Sequence, residues 1–537
     1  MTTKRPASEY PPTLMDLLHD CACYPHPAGT VQMIETHISW VLLAGDFAYK
    51  VKKPVSLPFL DFSTLEARRR ACEEEVRLNR RTAPQLYLGV VPIGGALAAP
   101  RVAEGRQVFE YAVKMLRFPQ EALYSERAKR GILDDADIDA LAEAVVALHR
   151  QAPRGGAAQP MPEGAIANLA EIAALCPAPA RACLEVLEGW TRREAAALAG
   201  TFERRAGEGF VRECHGDLHL ANVVRIDGRP VAFDCIEFSA PLRNIDVMSE
   251  VAFTTMDLQR HGLPRKASRF LNCYLESTGD YAGLAVLRFY QVYRAAVRAK
   301  VAMLGGATEE ACALLGLAEE LTHREAPVVV LMHGVSGSGK STAAARLLEA
   351  LGAIRLRSDV ERKRLHGIGS GAHAPAAAGA GMYGPRENAG TYERLEELAS
   401  GVIAAGYPVI VDATFLHRAD RDRFRAVAAR EHGVLEIADC HAPEAILRRR
   451  VAERERGGDD ASDAGVEVLQ AQLGMREPLG ADERMHSVYL DTSRIEWKVT
   501  AESLARRFRA HPIQPGEHPA DRAPGRTAQA DPLESGR

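Results

Sequence analysis

The chain contains 537 residues, and this length predicts about three or four compact units rather than one small fold. Hydrophobic residues make up 47% and charged residues 26% of the chain, a composition that excludes global disorder. The chain contains 67 Lys and Arg residues and 71 Asp and Glu residues, which gives a net charge of −4. This near-neutral charge excludes a protein that binds a polyanion through a large overall positive charge.

The first residues and the cysteines indicate a cytoplasmic protein. Residues 1–20 lack the apolar core of a signal peptide, and the strongest apolar run, residues 328–332, is far too short to span a bilayer. The ten cysteines are scattered and offer no CxxC pair for zinc or redox chemistry, which fits a reducing compartment. We therefore expect a cytoplasmic location and no membrane partner.

The first part of the chain changes from strands to helices. Alternating apolar residues predict strands at 39–43, 47–52 and 108–115, with a turn at Gly45 and Asp46 between the first two. Helical patterns dominate residues 132–317, except for short strand-like segments around 214–234. The sequence therefore predicts an α+β domain over residues 1–324, with a β-rich lobe at about 30–118 and a helical lobe at about 119–320.

A second domain begins near residue 325, where a helical segment gives way to the strand-like PVVVLMHG. Strands and helices alternate from there to residue 510, a pattern typical of a parallel sheet with helices on both faces. Residues 511–537 contain five prolines and few large aliphatic residues, so we expect a disordered tail.

The segment ECHGDLHLANVV, residues 213–224, carries polar groups suited to phosphoryl transfer. This chemistry needs a carboxylate to orient the acceptor hydroxyl and oxygen ligands for Mg²⁺. Asp217 and Asn222 lie in this segment, and Asp234 ends a second short strand. A hairpin between the two strands would bring Asn222 and Asp234 together and leave Asp217 facing the acceptor.

The motif HGDxHxxN resembles the catalytic loop of aminoglycoside phosphotransferases and related protein-kinase-like small-molecule kinases. The resemblance implies a bilobal fold in which Asp217 is the catalytic base and Asn222 and Asp234 bind Mg²⁺. It also implies a lysine on a strand of the first lobe, held by a carboxylate on a helix. Lys50 and Lys52 are both candidates; we favour Lys50 and leave Lys52 open.

Helical periodicity selects the carboxylate that would hold this lysine. In residues 65–81 the apolar side contains Cys72 and Val76, and 100° per residue turns Glu75 toward that side and Glu74 away. No GxGxxG covers the phosphates, so the choice of nucleotide stays open. The resemblance places residues 110–118 at the hinge between the lobes, and Asp246 is expected to cap a helix.

The segment GVSGSGKS follows a strand and opens a helix, the context that a Walker A loop requires. Backbone N–H groups of such a loop hold phosphates, Lys340 reaches the β and γ oxygens, and Ser341 binds Mg²⁺. Asp412 ends the later strand PVIVD and is the candidate Walker B carboxylate. The predicted nucleotide-binding residues are Gly334, Val335, Ser336, Gly337, Ser338, Gly339, Lys340, Ser341 and Thr342.

An acceptor site would distinguish a kinase from an ATPase that does mechanical work. Asp359 follows the second strand of this domain, where its carboxylate can take a hydroxyl proton, and Arg362 can hold an anionic substrate. The arrangement resembles polynucleotide 5'-hydroxyl kinases and, more distantly, zeta-toxin and gluconate kinases. The later helix–loop–helix segment suggests a lid, whose Arg450 and Arg454 would close over ATP.

Taken together, the order of modules resembles bacterial fusions of an aminoglycoside-phosphotransferase-family domain with an ATP-binding P-loop domain. The two complete sets of phosphate-binding motifs predict a bifunctional ATP-dependent phosphotransferase that uses ATP and Mg²⁺. The expected acceptors are a small-molecule hydroxyl at the first domain and a nucleotide or oligonucleotide at the second. The alternative is a regulatory protein in which the P-loop domain senses or hydrolyses ATP to gate the first domain.

Overall fold

A computed structural model describes residues 13–57, 60–156, 161–176, 180–324, 328–368, 384–457, 465–494, 496–497 and 503–504. The chain divides into two compact units, an N-terminal unit and a C-terminal unit, between His323 and Arg324. The expected tail at 511–537 lies outside the described residues. None of the helices among the described residues combines the length and apolar content needed to cross a lipid bilayer.

The N-terminal unit begins with a six-stranded antiparallel sheet in the order β1-β2-β3-β8-β6-β7. Gly45 and Asp46 form the predicted turn between its second and third strands. The strands are β1 Gln32–Glu35, β2 Ser39–Ala44, β3 Phe47–Lys52, β4 Ser56–Leu57, β5 Leu60–Asp61, β6 Tyr87–Ala96, β7 Ala99–Val102 and β8 Glu110–Leu116, with helix α1 at Leu14–Leu17 before them.

Helix α2, Leu65–Asn79, lies on one face of this sheet. Thr64 begins the helix by accepting a hydrogen bond from the Ala67 N–H. Its buried face carries Cys72 and Val76, which pack with Val113 of β8 in one apolar cluster. Burial of this face therefore also buries Glu75, which lies on the same side.

The remainder of the N-terminal unit is mainly helical. Its central helix, α10 at Leu284–Leu304, packs against the four helices α5, α6, α8 and α11. Two short antiparallel strand pairs, the hairpin of β10 with β11 and the pairing of β9 with the more distant β12, interrupt the helices. The elements are α3 Tyr124–Lys129, α4 Asp135–Gln151, α5 Glu163–Leu175, α6 Arg181–Glu208, β9 Val211–Glu213, β10 Val223–Ile226, β11 Arg229–Ala232, α7 Ala240–Arg243, β12 Asn244–Asp246, α8 Val247–Arg260, α9 Pro264–Thr278, α10 Leu284–Leu304 and α11 Thr308–Thr322.

The C-terminal unit is an α/β fold around a five-stranded parallel sheet in the order β14-β15-β13-β16-β17. Its central strand is buried along its whole length, as a parallel sheet covered on both faces requires. The elements are β13 Val328–His333, α12 Lys340–Leu351, β14 Ile354–Arg357, α13 Ser358–Leu365, α14 Pro385–Ala404, β15 Val409–Asp412, α15 Arg418–Arg430, β16 Val434–His441, α16 Glu444–Gly457, α17 Val466–Met475, α18 Ala481–Arg484 and β17 Ser487–Asp491.

The predicted fold class is confirmed: a β-rich lobe and a helical lobe form one unit, and a parallel-sheet unit follows. The length of the chain suggested three or four compact units, but the structure has two, because the β-rich lobe and the helical lobe pack together as one unit. The predicted hinge at 110–118 is wrong for most of its residues. Residues Glu110–Leu116 form β8 between β3 and β6, so the connection between the lobes begins only after that strand.

Candidate functional site

Lys50 joins two carboxylates from different parts of the N-terminal unit. On β3, its Nζ lies 3.0 Å from Glu75 Oε1 of α2 and also donates to Asp234 Oδ1. Desolvation alone would lower the pKa of Lys50, but the charges of Asp234 and Glu75 raise it well above its usual value. Lys50 therefore remains a cation beside Asp234, whose side chain is 39% exposed.

Lys52, on the same face of β3, forms a second and more deeply buried pair of ionic contacts. Its Nζ contacts Glu75 Oε2 and Glu237 Oε1, and the side chains of Lys52 and Glu75 have no exposed surface. Glu74 instead pairs with Arg77 and Arg243. The two lysines thus share Glu75, but only Lys50 reaches Asp234. Sequence reasoning did not find Glu237, since it lies 185 residues from Lys52.

Asp217 lies on the loop between β9 and β10, where its neighbours keep it charged. Asn222 Nδ2 donates to Asp217 Oδ2 at 3.0 Å, and His219 Nε2 lies 3.3 Å from the same oxygen. Desolvation alone would raise the pKa of Asp217, but His219 and Arg298 hold it well below its usual range. With its side chain 33% exposed, Asp217 can accept a hydrogen bond from a molecule outside the loop.

The β10–β11 hairpin brings Asn222 and Asp234 to neighbouring positions. Val223 pairs with Ala232, and the Phe233 N–H donates to the Asn222 carbonyl at 3.0 Å. Asp234 has a φ of 65°, and its N–H donates to the Tyr87 hydroxyl at 3.0 Å. The predicted hairpin is therefore present, and it places Asp234 within electrostatic range of Asp217, whose charge opposes its ionisation.

Glu250 of α8 supports the start of this loop by accepting hydrogen bonds from its backbone. No local sequence motif predicted this contact. Its two oxygens accept the N–H groups of His215 at 3.1 Å and Gly216 at 2.8 Å, while His149 lies 3.2 Å away. Asp246 caps α8 through the Met248 N–H, as predicted, and also pairs with the buried Arg205. These buried contacts fix the backbone on which Asp217 lies.

In the C-terminal unit, residues 334–339 connect β13 to α12 and form a tight loop. Gly334 has a φ of 146°, and a Cβ atom there would lie 2.6 Å from the Cys440 carbonyl oxygen. Only glycine fits such a position. Lys340 begins α12 and is buried, Ser341 is half-buried and Thr342 is exposed. The loop thus leads directly into the N terminus of α12, a position at which backbone N–H groups can bind phosphate.

Asp412 ends β15, a strand that is hydrogen-bonded to β13. Both of its carboxylate oxygens are buried, and neither has a hydrogen-bond partner among the described residues. A buried carboxylate without partners is costly unless a cation binds it. This donor fits Mg²⁺ beside a Walker A loop. In the N-terminal unit, the amide oxygen of Asn222 and the carboxylate of Asp234 form an equally suitable oxygen donor set.

One of the two predicted lid arginines, Arg450, and a glutamine of α17 contact the loop. Arg450 Nη1 donates to the Gly337 carbonyl at 3.1 Å and to Thr492 Oγ1 at 2.9 Å. Gln472 of α17 accepts the Ser336 N–H at 2.7 Å. Arg454 is half-buried one turn beyond Arg450 on α16. Arg450 thus braces the outside of the loop, and the loop predicted between the lid helices lies largely outside the described residues.

Asp359 lies in the first turn of α13, directly after β14. Its carboxylate is 3.3 Å from Arg362, whose Nη2 donates to Asn388 at 2.9 Å. The pairing holds Asp359 at the carboxyl edge of the sheet, the edge at which β15 ends in Asp412. The structure therefore brings Asp359 and Arg362 into one polar group.

A cluster that the sequence analysis missed lies at the same sheet edge. Asp439 accepts from His333 at 2.6 Å and from Arg476 at 3.1 Å, and its second oxygen lies 2.8 Å from His441. Burial alone would raise the pKa of Asp439, but the two histidines lower it well below its usual value. Only the pairing of His333 with Asp439 across β13 and β16 could have indicated this cluster. That pairing cannot be predicted without the register of the two strands.

Comparisons with known proteins match both units. The model of the AAA domain family matches residues 329–479. An uncharacterized protein of Mycobacterium tuberculosis is 31% identical over 474 residues, covering 84% of this chain and 93% of that protein. Among solved structures, an aminoglycoside phosphotransferase is 14% identical over 55% of this chain and 94% of its own, with a TM-score of 0.35. A gluconokinase from Sinorhizobium meliloti is 24% identical over 35% of this chain and 100% of its own, with a TM-score of 0.25.

Proposed function

Since the chain belongs to the family of the uncharacterized mycobacterial proteins that it matches almost end to end, we propose that this family consists of bifunctional ATP-dependent phosphotransferases. Each unit would transfer the γ-phosphoryl group of ATP to a hydroxyl. The observation that carries the proposal is the continuous ion-paired chain from Glu75 through Lys50 to Asp234, next to Asp217. The proposal rests on an architecture in which a kinase-like unit is joined to a P-loop unit.

In the N-terminal unit, Lys50 would bind phosphate oxygens while Glu75 holds its ammonium group in place. Asn222 and Asp234 would hold Mg²⁺, which neutralises charge on the phosphates when bound. Asp217 would accept a hydrogen bond from the acceptor hydroxyl and take its proton as the new O–P bond forms. The low pKa of Asp217 keeps the carboxylate ionised at neutral pH, as this role requires.

In the C-terminal unit, the N–H groups of residues 334–341 and Lys340 would hold the triphosphate. Ser341 and Asp412 would hold Mg²⁺, and the orphaned carboxylate oxygens of Asp412 support this role. Asp359 would receive the proton of the acceptor hydroxyl, and Arg362 would neutralise an anionic acceptor such as a nucleotide or oligonucleotide.

The test is transfer of label from γ-labelled ATP to metabolite and oligonucleotide pools. Asp217→Asn should abolish labelling of the small-molecule pool and leave labelling by the C-terminal unit intact, while Asp359→Asn should do the reverse. Asp227→Asn, at the exposed tip of the β10–β11 hairpin, is the matched control and should change neither. The proposal fails if neither Asp217→Asn nor Asp359→Asn alters any phosphoryl transfer.

A second candidate function has its own supporting contact. The Ser336 N–H, which a Walker A loop offers to phosphate, is taken by Gln472 of the lid. ATP binding would have to displace this contact and move α17, as in a nucleotide sensor that gates the N-terminal unit. This alternative predicts that Lys340→Ala shifts small-molecule labelling by the N-terminal unit, while no product carries phosphate from the C-terminal unit.

A further inference from the structure

Asp217 uses one carboxylate oxygen for contacts within the protein and leaves the other available. Oδ2 accepts from Asn222 Nδ2 at 3.0 Å and lies 3.3 Å from His219 Nε2. Oδ1 has no hydrogen-bond partner among the residues that the structure describes. Since the side chain is 33% exposed, Oδ1 is the oxygen to which the hydroxyl of a bound molecule can donate.

The hydrogen bonds of His219 indicate which of its ring nitrogens donates. Nδ1 accepts the Ala221 N–H at 3.3 Å, so the hydrogen of a neutral ring is on Nε2. Nε2 then donates to Asp217 Oδ2, and a donating ring nitrogen has no lone pair for a second donor. His219 therefore holds Asp217 in place and cannot accept a hydrogen bond at Nε2 from another residue.

Arg298 of α10 is the second donor at this nitrogen. Its Nη1 lies 3.3 Å from His219 Nε2, so two donors face each other there. Its Nε is buried and has no hydrogen-bond partner within the described ranges. No carboxylate in those ranges lies within ion-pair distance of its guanidinium group. Because a buried N–H without an acceptor is costly, Arg298 offers a charge and donors that a bound anion can satisfy.

The acidic side chains of the neighbouring helices are engaged elsewhere. Glu171 of α5 pairs at 2.9 Å with Lys300, two residues beyond Arg298 on α10. Asp257 of α8 pairs with Arg260 at 3.2 Å. The two cations of α10 therefore differ: Lys300 has a carboxylate partner within the described part of the chain, whereas Arg298 has none there.

Arg298 lies close enough to Asp217 for one small molecule to contact both. Asp217 Oδ2 and Arg298 Nη1 are each 3.3 Å from His219 Nε2, so they lie no more than twice that distance apart. Lys50, the candidate phosphate-binding cation, instead contacts Asp234. An acceptor has its hydroxyl between Asp217 and the terminal phosphate, so the rest of the acceptor extends away from that phosphate. Arg298 offers a cation to an anionic group on that part of the acceptor.

We propose that Arg298 binds an anionic group of the acceptor, so that the N-terminal unit phosphorylates a small hydroxyl compound that carries a carboxylate or a phosphate. The inference rests on the proposed function of that unit. Carboxylate and phosphate oxygens match a guanidinium group in charge and geometry. The acceptor hydroxyl donates to Asp217 Oδ1. Its oxygen forms the bond to the γ-phosphorus as the bond between that phosphorus and ADP breaks, and its proton passes to Asp217.

Three probes with the same three-carbon skeleton test the charge preference without ATP. They are glycerol, glycerate and glycerol 3-phosphate, titrated into the full-length protein and followed by NMR of the probe. At least one of the two anions is expected to bind about tenfold or more tightly than glycerol, and the tighter anion identifies the preferred group. The proposal is overturned if glycerol binds as tightly as both anions, or if no probe binds.

Variants assign the preference to Arg298. Arg298→Gln should abolish the advantage of the anion, and Arg298→Lys, which keeps the charge, should retain part of it. The matched control is Lys300→Gln, which removes a cation already paired with Glu171 and should preserve the advantage. Glycerol 3-phosphate can also bind at the phosphate loop of the C-terminal unit, so only the binding lost in Arg298→Gln counts. Retention of the full advantage in Arg298→Gln, or its loss in Lys300→Gln, would overturn the proposal.

Phosphoryl transfer distinguishes this inference from the proposed function. A small-molecule pool is divided by anion exchange into retained and unretained compounds before incubation with γ-labelled ATP. Labelling that depends on Asp217 should concentrate in the retained compounds. Arg298→Gln should raise the KM for the acceptor about tenfold or more and leave the KM for ATP unchanged.

Each other outcome decides between the two. Labelling of unretained compounds alone would retain the phosphotransferase and refute the role of Arg298. A fall in kcat with an unchanged KM for the acceptor would place Arg298 on the transferring phosphoryl group and would also refute it. Binding of an anionic probe with the expected variant pattern, but no transfer that depends on Asp217, would retain the anion site and refute the phosphotransferase.

Discussion

Replacement of Lys52 by methionine tests whether this lysine stabilises the fold while Lys50 serves the site. Both lysines contact Glu75, so after Lys52→Met that carboxylate keeps Lys50 at 3.0 Å. Glu237, with only 3% of its side chain exposed, loses its ion-pair partner. Removing one member of a buried ion pair costs about 3–5 kcal/mol, which is the loss we expect in the free energy of unfolding of the N-terminal unit.

Urea unfolding followed by tryptophan fluorescence measures this loss. Trp40 and Trp190 lie in the N-terminal unit and Trp497 in the C-terminal unit, so a Trp497→Phe background reports the N-terminal unit alone. With a urea dependence of about 1–3 kcal/mol per molar, the midpoint should fall by about 1 M or more. The double variant Lys52→Met with Glu237→Leu should recover much of the loss, because no buried charge is then left unpaired.

Two results would contradict this reasoning. An unchanged midpoint in Lys52→Met would mean that water or another group replaces the lysine at Glu237. A double variant less stable than Lys52→Met would mean that the pair contributes packing rather than charge balance. The comparison variant Lys50→Met should lose phosphoryl transfer with a smaller change in midpoint, because Lys50 also contacts Asp234, whose side chain stays partly hydrated.

Three further predictions concern the candidate nucleotide site of the C-terminal unit and the acid stability of the N-terminal unit. Asp412→Asn should leave the C-terminal unit at least as stable in the absence of nucleotide, because it removes an unpartnered buried charge, but should abolish stabilisation by Mg²⁺ and ATP in a thermal melt. Gly334→Ala should lower the stability of that unit by about 1–3 kcal/mol and abolish nucleotide binding by calorimetry, since its Cβ would meet the Cys440 carbonyl at 2.6 Å. Burial alone would raise the pKa of Glu250, but the hydrogen bond and charge of His149 lower it from 4.5 to about 2. The folded N-terminal unit therefore binds this proton less readily than the unfolded chain, so a contribution of about 3 kcal/mol is complete above pH 4.5 and is lost as the pH falls toward 2. Glu250→Gln should flatten the pH dependence of the urea midpoint over that range, and an unchanged slope would rule out Glu250 as its source.

Two local motifs were enough to predict much of the candidate sites. Gly334 and Lys340 belong to one short loop whose backbone geometry is set by its glycines and its flanking strand and helix. Asp217 and Asn222 are five residues apart, and the hairpin that brings Asp234 beside them is also short. Contacts of this kind join residues that are close together along the chain, so local sequence patterns can predict them.

Helical periodicity also identified Glu75 of α2 as a residue of the buried side of that helix. The apolar residues of α2 define the buried side, and Glu75 lies on it. The same argument did not separate Lys50 from Lys52, because residues two apart on a strand share a face. Their different roles depend on Glu237 and Asp234, which approach from a loop more than 180 residues away.

The fold class and the candidate loops around Asp217 and Lys340 follow from patterns within single segments of the chain, whereas the pairing of Lys50 with Glu75 was expected from a family resemblance. The support of the Asp217 loop by Glu250 and the unpartnered oxygens of Asp412 follow only from the packed structure. Periodicity and spacing describe which face a residue occupies on its own element. Whether a buried charge finds a partner depends on which distant elements pack against it, and that information exists only once the chain has folded.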